Sequence, residues 1–575
     1  MKQKMAKKLA CIAFAGMMLP MAAQAAEADL QLKVDKLTQE VNDLKGSVQR
    51  NHDRSLSKWL SIGGSYRFRI DSLRGETVGY TSAPLVFENA QNMLQGAFFS
   101  DPDGMTNPFA AYGADNKMAL TALSIFSQNM NNVKTYQQAV AFPAGAVGAT
   151  PFTNGDLMAG FGAFPGQVDA YKPKNETLYT SKFALDLHAK ATQDVTVNVK
   201  LGMYKTFGTQ SDASTMNGYF ADRVGTFDGT LGHVPSSSLL NVDRAYATWS
   251  NIAEQPVWFS VGRRPSTDGA PSNLRQNNPR PGNGGTPALL VDYAFDGMTI
   301  GYAPDIEPLP GFYAKVCYGR GFESGLKTSS NSIKDTDMLG VALIPVDTDP
   351  LRVWMQWNRG FNIFDFPEMN NTIFGDTAPS TNLGSIDWYG IGAMSTLKNI
   401  GPGNINFFVD GAMSITNPNN NVSANAMFQG LMTGAPFQPE APSEKTGYGA
   451  MAGVRYDLPS RTKLGFEYNH GSKNWIPFSP AADDMWTAKV GTRGNVYEGY
   501  VIQELDLKPI SSYFSTTFFK VGYQYYDFKY TGSNNWVGAP MSIDSLATYQ
   551  ANGGMLLQAP VKTAQDIYAT FEVKF

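Results

Sequence analysis

Asp566-Ile567-Tyr568-Ala569-Thr570-Phe571-Glu572-Val573-Lys574-Phe575 decides the fold of this chain. Apolar residues fall at Ile567, Ala569, Phe571, Val573 and Phe575, with polar or amphipathic ones between them. A period of two marks a strand with one apolar and one polar face. The sequence stops on the apolar face, at an aromatic. Two readings fit. One is the edge strand of a soluble sheet. The other is the closing strand of a transmembrane barrel, with Phe571, Val573 and Phe575 towards lipid.

Composition separates them. The sequence has 575 residues, 12% aromatic and only 17% charged, with 56 glycines and 33 prolines. No run of 18 apolar residues is present, so no membrane-spanning helix is available. Few charges, many aromatics and many turns fit a barrel in which every second strand residue faces lipid. The outer-membrane lipid and the barrel assembly machinery, whose signal an aromatic last strand resembles, are then the expected partners. Cysteine excludes other classes: Cys11 and Cys317 form no C-x-x-C-H haem attachment and no disulfide framework. His52, His188, His233 and His470 lack metal-ligand spacing. No cofactor is expected.

Residues 1–25 read as a secretory signal. Lys2, Lys4, Lys7 and Lys8 are followed by the apolar Leu9 to Leu19 and by Ala23-Gln24-Ala25, an A-x-A cleavage site. Removing those four lysines from 46 basic residues leaves 42 against 50 acidic ones. A net charge near −8 argues against nucleic acid.

Residues 26–58 carry a heptad pattern. Leu30, Val34, Leu37, Val41, Leu44 and Val48 are spaced 4, 3, 4, 3, 4. Valine at a and leucine at d, with Glu40 at g and Lys45 at the following e, fit a short parallel coiled coil. Alone it is marginal, but a barrel oligomer would hold its chains at high local concentration. The expectation is a periplasmic oligomerisation helix. A single helix packed under the barrel or plugging its mouth is the alternative.

From Trp59 to Phe575 the texture is strands. Leu60, Ile62, Gly64, Tyr66, Phe68 and Ile70 alternate with Ser61, Gly63, Ser65, Arg67, Arg69 and Asp71. Long connections near 73–175, 208–239, 264–287, 321–335, 361–384, 415–445, 472–492 and 531–562 alternate with seven short ones. Long outer loops and short periplasmic turns are the pattern of a bacterial barrel. The count gives an all-β antiparallel transmembrane barrel of about sixteen strands. Eighteen is the alternative if the loop at 73–175 hides a pair. Leu289/Val291/Tyr293/Phe295 and Met298/Ile300/Tyr302 are out of phase across Asp296-Gly297. A glycine bulge there keeps the even count. In loop 73–175, Leu120, Leu123, Phe126, Met130 and Val133 recur at helical spacing. The loop is expected to constrict the lumen or cap the mouth, with a slight lean to constriction.

Alternation assigns the pore-lining set: Arg67, Arg69, Lys182, Lys200, Lys315, Arg352, Asp410, Arg455, Lys463, Glu467 and Lys520. A barrel this wide is expected to hold water. Its mixed charges either give a weak anion preference or pair with neighbouring strands and cancel. For catalysis the best candidate is His470 near Ser472, but no G-x-S-x-G elbow accompanies it. No enzyme is expected. Gly262-Arg263-Arg264-Pro265 could hold an anion or shape a loop.

Val261 to Gly269, Val291 to Gly297, Cys317 to Phe322, Glu467 to Trp475 and Thr492 to Glu498 carry a likeness. These segments resemble a family of bacterial outer-membrane, porin-like proteins of unknown function. The likeness spans roughly Trp59 to Phe575. It implies an outer-membrane barrel and names no substrate. The expected function is therefore passive diffusion of small hydrophilic solutes or ions through a homo-oligomeric porin. Alternatives are a sheath around a periplasmic multihaem cytochrome, conducting electrons, or a non-conducting structural barrel or adhesin.

Overall fold

The computed structural model describes residues 36–38, 40, 41 and 45, and then 59–575 apart from 103–106, 108, 111–112, 143–145, 148–149, 152–163, 208–239, 267, 281–284, 325–332, 366–368, 373–374, 378, 480–482 and 508–514. Residues 1–25, expected to be a secretory signal, lie outside the described residues. Two compact units are present, residues 1–61 and 62–575. In the first, residues 36–38, 40, 41 and 45 are helical, and Leu37 and Val41 are exposed. Leu30, Val34, Leu44 and Val48 lie outside the described residues.

The second unit holds a closed barrel of sixteen strands. They are β1 (Leu60–Thr77, entering from the first unit), β2 (Lys174–Lys190), β3 (Val195–Phe207) and β4 (Asn241–Trp249). Next come β5 (Val257–Ser266), β6 (Tyr293–Tyr302), β7 (Tyr313–Phe322) and β8 (Thr336–Asp347). The far side is β9 (Arg352–Phe364), β10 (Asn382–Ile400), β11 (Gly403–Pro418) and β12 (Lys445–Asp457). The last four are β13 (Thr462–Gly471), β14 (Gly494–Glu504), β15 (Thr516–Phe528) and β16 (Val561–Lys574). Each strand pairs with its neighbour in sequence, and β16 returns to β1. Closure leaves no sheet edge, the condition for a sheet to cross lipid.

The closing seam carries the opening stretch. Phe571 pairs with Phe68 and Val573 with Tyr66. Phe575 then donates its N–H to Gly64 O at 2.9 Å and accepts from Gly64 N at 2.8 Å.

Outward residues form an apolar belt. Ile300, Val341, Ile391, Val409, Val521 and Ile567 are exposed in its middle. Aromatics stand at both rims: Trp249, Tyr302, Phe519 and Phe575 at one, Tyr318, Phe361, Tyr448 and Tyr497 at the other. A closed antiparallel barrel with such a belt is a bacterial outer-membrane barrel.

Two expectations need correction. The Asp296-Gly297 bulge is absent: β6 runs through both residues in unbroken register with β5 and β7. The phase break has another cause. Tyr293 and Phe295 face the lumen and are buried there, while Met298, Ile300 and Tyr302 face lipid. The first long loop also behaves differently. Its helices α1 (Ala83–Ser100) and α2 (Asn116–Met130) share a buried apolar cluster with Val422, Met427, Phe428 and Phe437 from the loop after β11 and with Met555. The loop packs on other outer loops. The segments that fill the lumen come from elsewhere, and the loop's own strands are two-residue ribbons, not a barrel pair.

Candidate functional site: the filled lumen

Two outer loops turn inward. One is the segment between β5 and β6, with the short helix α3 (Ser272–Arg275). The other joins β13 to β14 and includes Trp475 to Arg493.

In the outer half of the lumen the contacts are apolar. Leu289, Leu290, Tyr293, Phe295, Trp388 and Phe478 belong to one buried cluster with Trp475 and Trp536. The rings of Phe478 and Trp536 stack at 5.9 Å, and that of Trp388 meets Phe478 edge-on at 6.1 Å. Two of its buried indoles find backbone acceptors here: Trp388 Nε1 bonds Ile476 O at 2.6 Å, and Trp475 Nε1 bonds Val490 O at 2.7 Å. Gly449 makes room, since a Cβ there would meet the Trp475 ring at 2.5 Å. The expected open, water-filled lumen is thus not what the chain builds. Alternation alone reports which face a residue takes, not what fills the space beside it.

Deeper in, the contacts are ionic. Wall cations hold the carbonyls at and beyond the C-terminus of α3. Arg455 donates to Leu274 O at 2.6 Å, and Lys520 to Arg275 O at 2.9 Å. Lys574 reaches Gln276 O at 2.9 Å, while Lys463 bonds the Asn277 side chain at 2.6 Å. Unsatisfied carbonyls make a helix end partially negative, so cations belong there.

The second loop supplies charges of its own. Asp483 accepts from Arg67 at 3.1 Å and from Tyr204 at 2.7 Å, with Lys182 at 3.5 Å. Arg275 bridges Asp484 at 2.5 Å and Glu498 at 3.2 Å. Lys489 bonds Glu467 and lies 2.6 Å from Glu498. Burial pushes the Asp484 carboxyl up, but Arg275 and Lys489 more than offset it, holding it below the usual carboxylate range. Burial and Arg275 press Lys489 down, yet Glu467, Glu498 and Asp484 leave it above an ordinary lysine. Between the loops and the wall a cavity remains, lined by Arg275, Asp292, Glu467, Ser479, Asp484 and Lys489 among others.

The other sequence-selected residues take these places. Arg69 is buried between Asp71 at 2.6 Å and Asp566 at 2.8 Å. Lys315 donates to Gly285 O at 2.7 Å, and Arg352 to Tyr313 Oη at 2.8 Å. Asp410 is buried beside the wall with neither oxygen hydrogen-bonded. Lys200 keeps partial exposure. All eleven therefore sit on lumen-facing strands, most of them under the inserted loops. His470 lies 3.0 Å from Asn495 Oδ1, and Ser472 Oγ accepts from Tyr448 N at 2.8 Å. Gly262 to Pro265 shapes no loop: it is part of β5.

Sequence reasoning missed Arg275, Asp483, Asp484, Lys489 and Arg493, because all lie in connections. Arg493 is buried and donates to Trp475 O at 3.0 Å, Thr531 O at 3.1 Å and Asn535 O at 2.7 Å, tying two outer loops together. Burial pushes it down to about 9, so it stays charged at neutral pH.

Residues 172–575 match the model of a family described as protein of unknown function, DUF3373, and the chain belongs to that family. No curated protein matches it. Among solved structures it is similar to OprB of Pseudomonas putida, at 10% identity over 93% of this chain and 97% of that one, with a TM-score of 0.40. It is also similar to an anion-selective porin from Comamonas acidovorans, at 10% identity over 90% and 99%, TM-score 0.36. The outer-membrane channel DcaP of Acinetobacter baumannii matches at 10% over 89% and 96%, TM-score 0.33. Likenesses this distant assign no solute and no selectivity.

Proposed function

We propose that this member of the DUF3373 family is a narrow porin-like channel, passing small hydrophilic solutes or ions by passive diffusion. It sieves by lumen width and charge and performs no chemistry. One observation carries the reading. The inward residues of β2 to β5, among them Lys182, Asn198, Lys200, Arg244 and Tyr246, keep contact with solvent although the opposite wall is covered. Polar, wet inward positions are what a water path through a barrel requires.

The inserted loops make that path small, which supports low conductance. They also speak against a sheath, because a lumen occupied by the chain's own aromatics has little space for a haem protein. A non-conducting structural barrel is the second reading, favoured by the Phe478–Trp536 stack in the outer lumen. Single-channel recording in planar bilayers separates the two. Small, discrete current steps are expected from the pure protein. Silence at every voltage would sink the channel.

A further inference from the structure

The two sides of the lumen are unlike. On β9 to β14 the inward residues Arg352, Gln356, Asn406, Asp410, Arg455 and Glu467 are all buried. On β2 to β5 the inward Lys182, Lys200, Arg244, Tyr246, Trp258 and Arg264 are each partly exposed, and Asp186 and His188 are exposed. Both sets face one lumen. The inserted loops therefore cover the first wall and touch the second only at points, Asp483 on Lys182 and Tyr204 and Asp268 on Arg244, leaving water along the rest of it.

That wet wall carries cations in a row. Lys200 stands directly opposite Arg244 across β3 and β4. Arg264 lies one strand further on, in β5, beside the partner of Ala245. Like charges directly opposite destabilise a sheet unless something neutralises them. Arg244 is met by Asp243 at 3.2 Å and by Asp268. Lys200 is not met. Asp186 faces it across β2 and β3 without forming an ion pair, and no carboxylate pairs with it among the described residues. Arg264 has no carboxylate partner there either. It donates Nε–H to Ser260 Oγ at 2.8 Å and lies 5.7 Å from the Trp258 ring and 5.9 Å from the Tyr246 ring. The rings hold the guanidinium against the wall, and its two terminal nitrogens have no partner among the described residues.

The far wall shows the contrast. Glu467 and Glu498 are also like charges directly opposite, and the chain inserts Lys489 to cancel them. For Lys200 and Arg264 no such countercharge is inserted among the described residues. Donors left open to a water path recognise an anion: the arginine fork matches a carboxylate or phosphate, and the lysine adds a point charge. Nearby acids limit the field to this row, since Asp483 already takes Arg67 and Lys182.

We propose that the β2–β5 wall is the permeation path and that Lys200 and Arg264 make it selective for small inorganic and carboxylate anions. The proposal rests on the channel reading above. Its test is the reversal potential of the full-length protein in a planar bilayer under a KCl gradient. The wild-type protein should reverse on the chloride side of zero. Lys200→Gln with Arg264→Gln should move the reversal towards zero, while Arg264→Lys alone keeps its sign. Lys398→Gln, which removes a rim lysine paired with Asp349, serves as control and should leave it in place. Current without anion preference, or a double variant that reverses where the wild type does, overturns the proposal and leaves the channel standing. Absence of current overturns both.

Discussion

Glu467 and Glu498 face each other across β13 and β14, and Lys489 Nζ, from the loop that joins those strands, bonds both carboxylates. The pair could not stay charged and buried alone, because two desolvated anions repel at short range. Lys489 therefore latches its loop into the lumen, and Arg275 adds a second bridge to Glu498 at 3.2 Å.

Lys489→Met breaks the latch and leaves its carboxylates short of one cation. The expected cost is about 3–5 kcal/mol. It should show as a lower temperature for loss of the compact, heat-modifiable band on gels, with larger and noisier single-channel currents. Adding Glu467→Gln should recover part of the loss. An unchanged transition in Lys489→Met would remove the latch from the account.

The latch also has a pH window. Lys489 sits above the ordinary lysine value, so its contribution is complete below about pH 10 and is lost as pH rises through its higher folded value. Asp484 sits below the ordinary carboxylate value, so its contribution is complete above about pH 4 and is lost as pH falls through its lower folded value. Asp484 accepts the Lys489 amide at 2.9 Å. Hydrogen exchange at that amide, corrected for its intrinsic rate, should show constant protection from about pH 5 to 9. Loss of protection inside that window would place the latch on other groups.

The barrel was legible because its signals are local. Period-two alternation in β1 and β16 and the parity of long and short connections gave sixteen strands without any tertiary information. Faces were legible too, so Arg69, Arg455 and Glu467 fell on the inside. The occupants of the lumen were not. Lys489 and Asp484 carry no periodic pattern, and their roles depend on a loop turning inward by contacts far apart in sequence. The same limit explains β6. Apolar character alone does not tell lipid from a filled lumen, and Phe478 supplies Tyr293 and Phe295 with an apolar environment inside, so the phase changes without a bulge.

Asp410 is an exception to the paired interior. Neither of its oxygens makes a hydrogen bond among the described residues, and the residue is buried beside Gly392 and Met451. A buried, unpaired carboxylate costs stability that an amide of the same shape does not. Asp410→Asn should therefore fold with a higher transition temperature and an unchanged conductance. A lower temperature would reveal a partner that the carboxylate needs.

The heptad segment predicts a separable role. Leu37 and Val41 occupy d and a positions and are exposed in the single chain, as residues awaiting a second copy would be. Deleting 29–50 should leave a barrel with normal heat-modifiability but weaker oligomers on native gels. Oligomers of undiminished strength would assign assembly to the barrel wall.

Phe575 closes the barrel through its backbone as well as its ring. Its N–H and C=O both bond Gly64, and a Cβ on Gly64 would meet the Phe575 ring at 3.0 Å. The ring is half exposed, at the lipid-facing rim. Phe575→Asp keeps both backbone groups, so the seam itself can still form. What it changes is the rim, where a carboxylate replaces an aromatic that favours the interface. Insertion into the outer membrane should fall sharply, whereas Phe575→Tyr should insert normally. Normal insertion of Phe575→Asp would show that the backbone pairing of β16 with β1 suffices, and that the aromatic end of the stretch has no part in assembly.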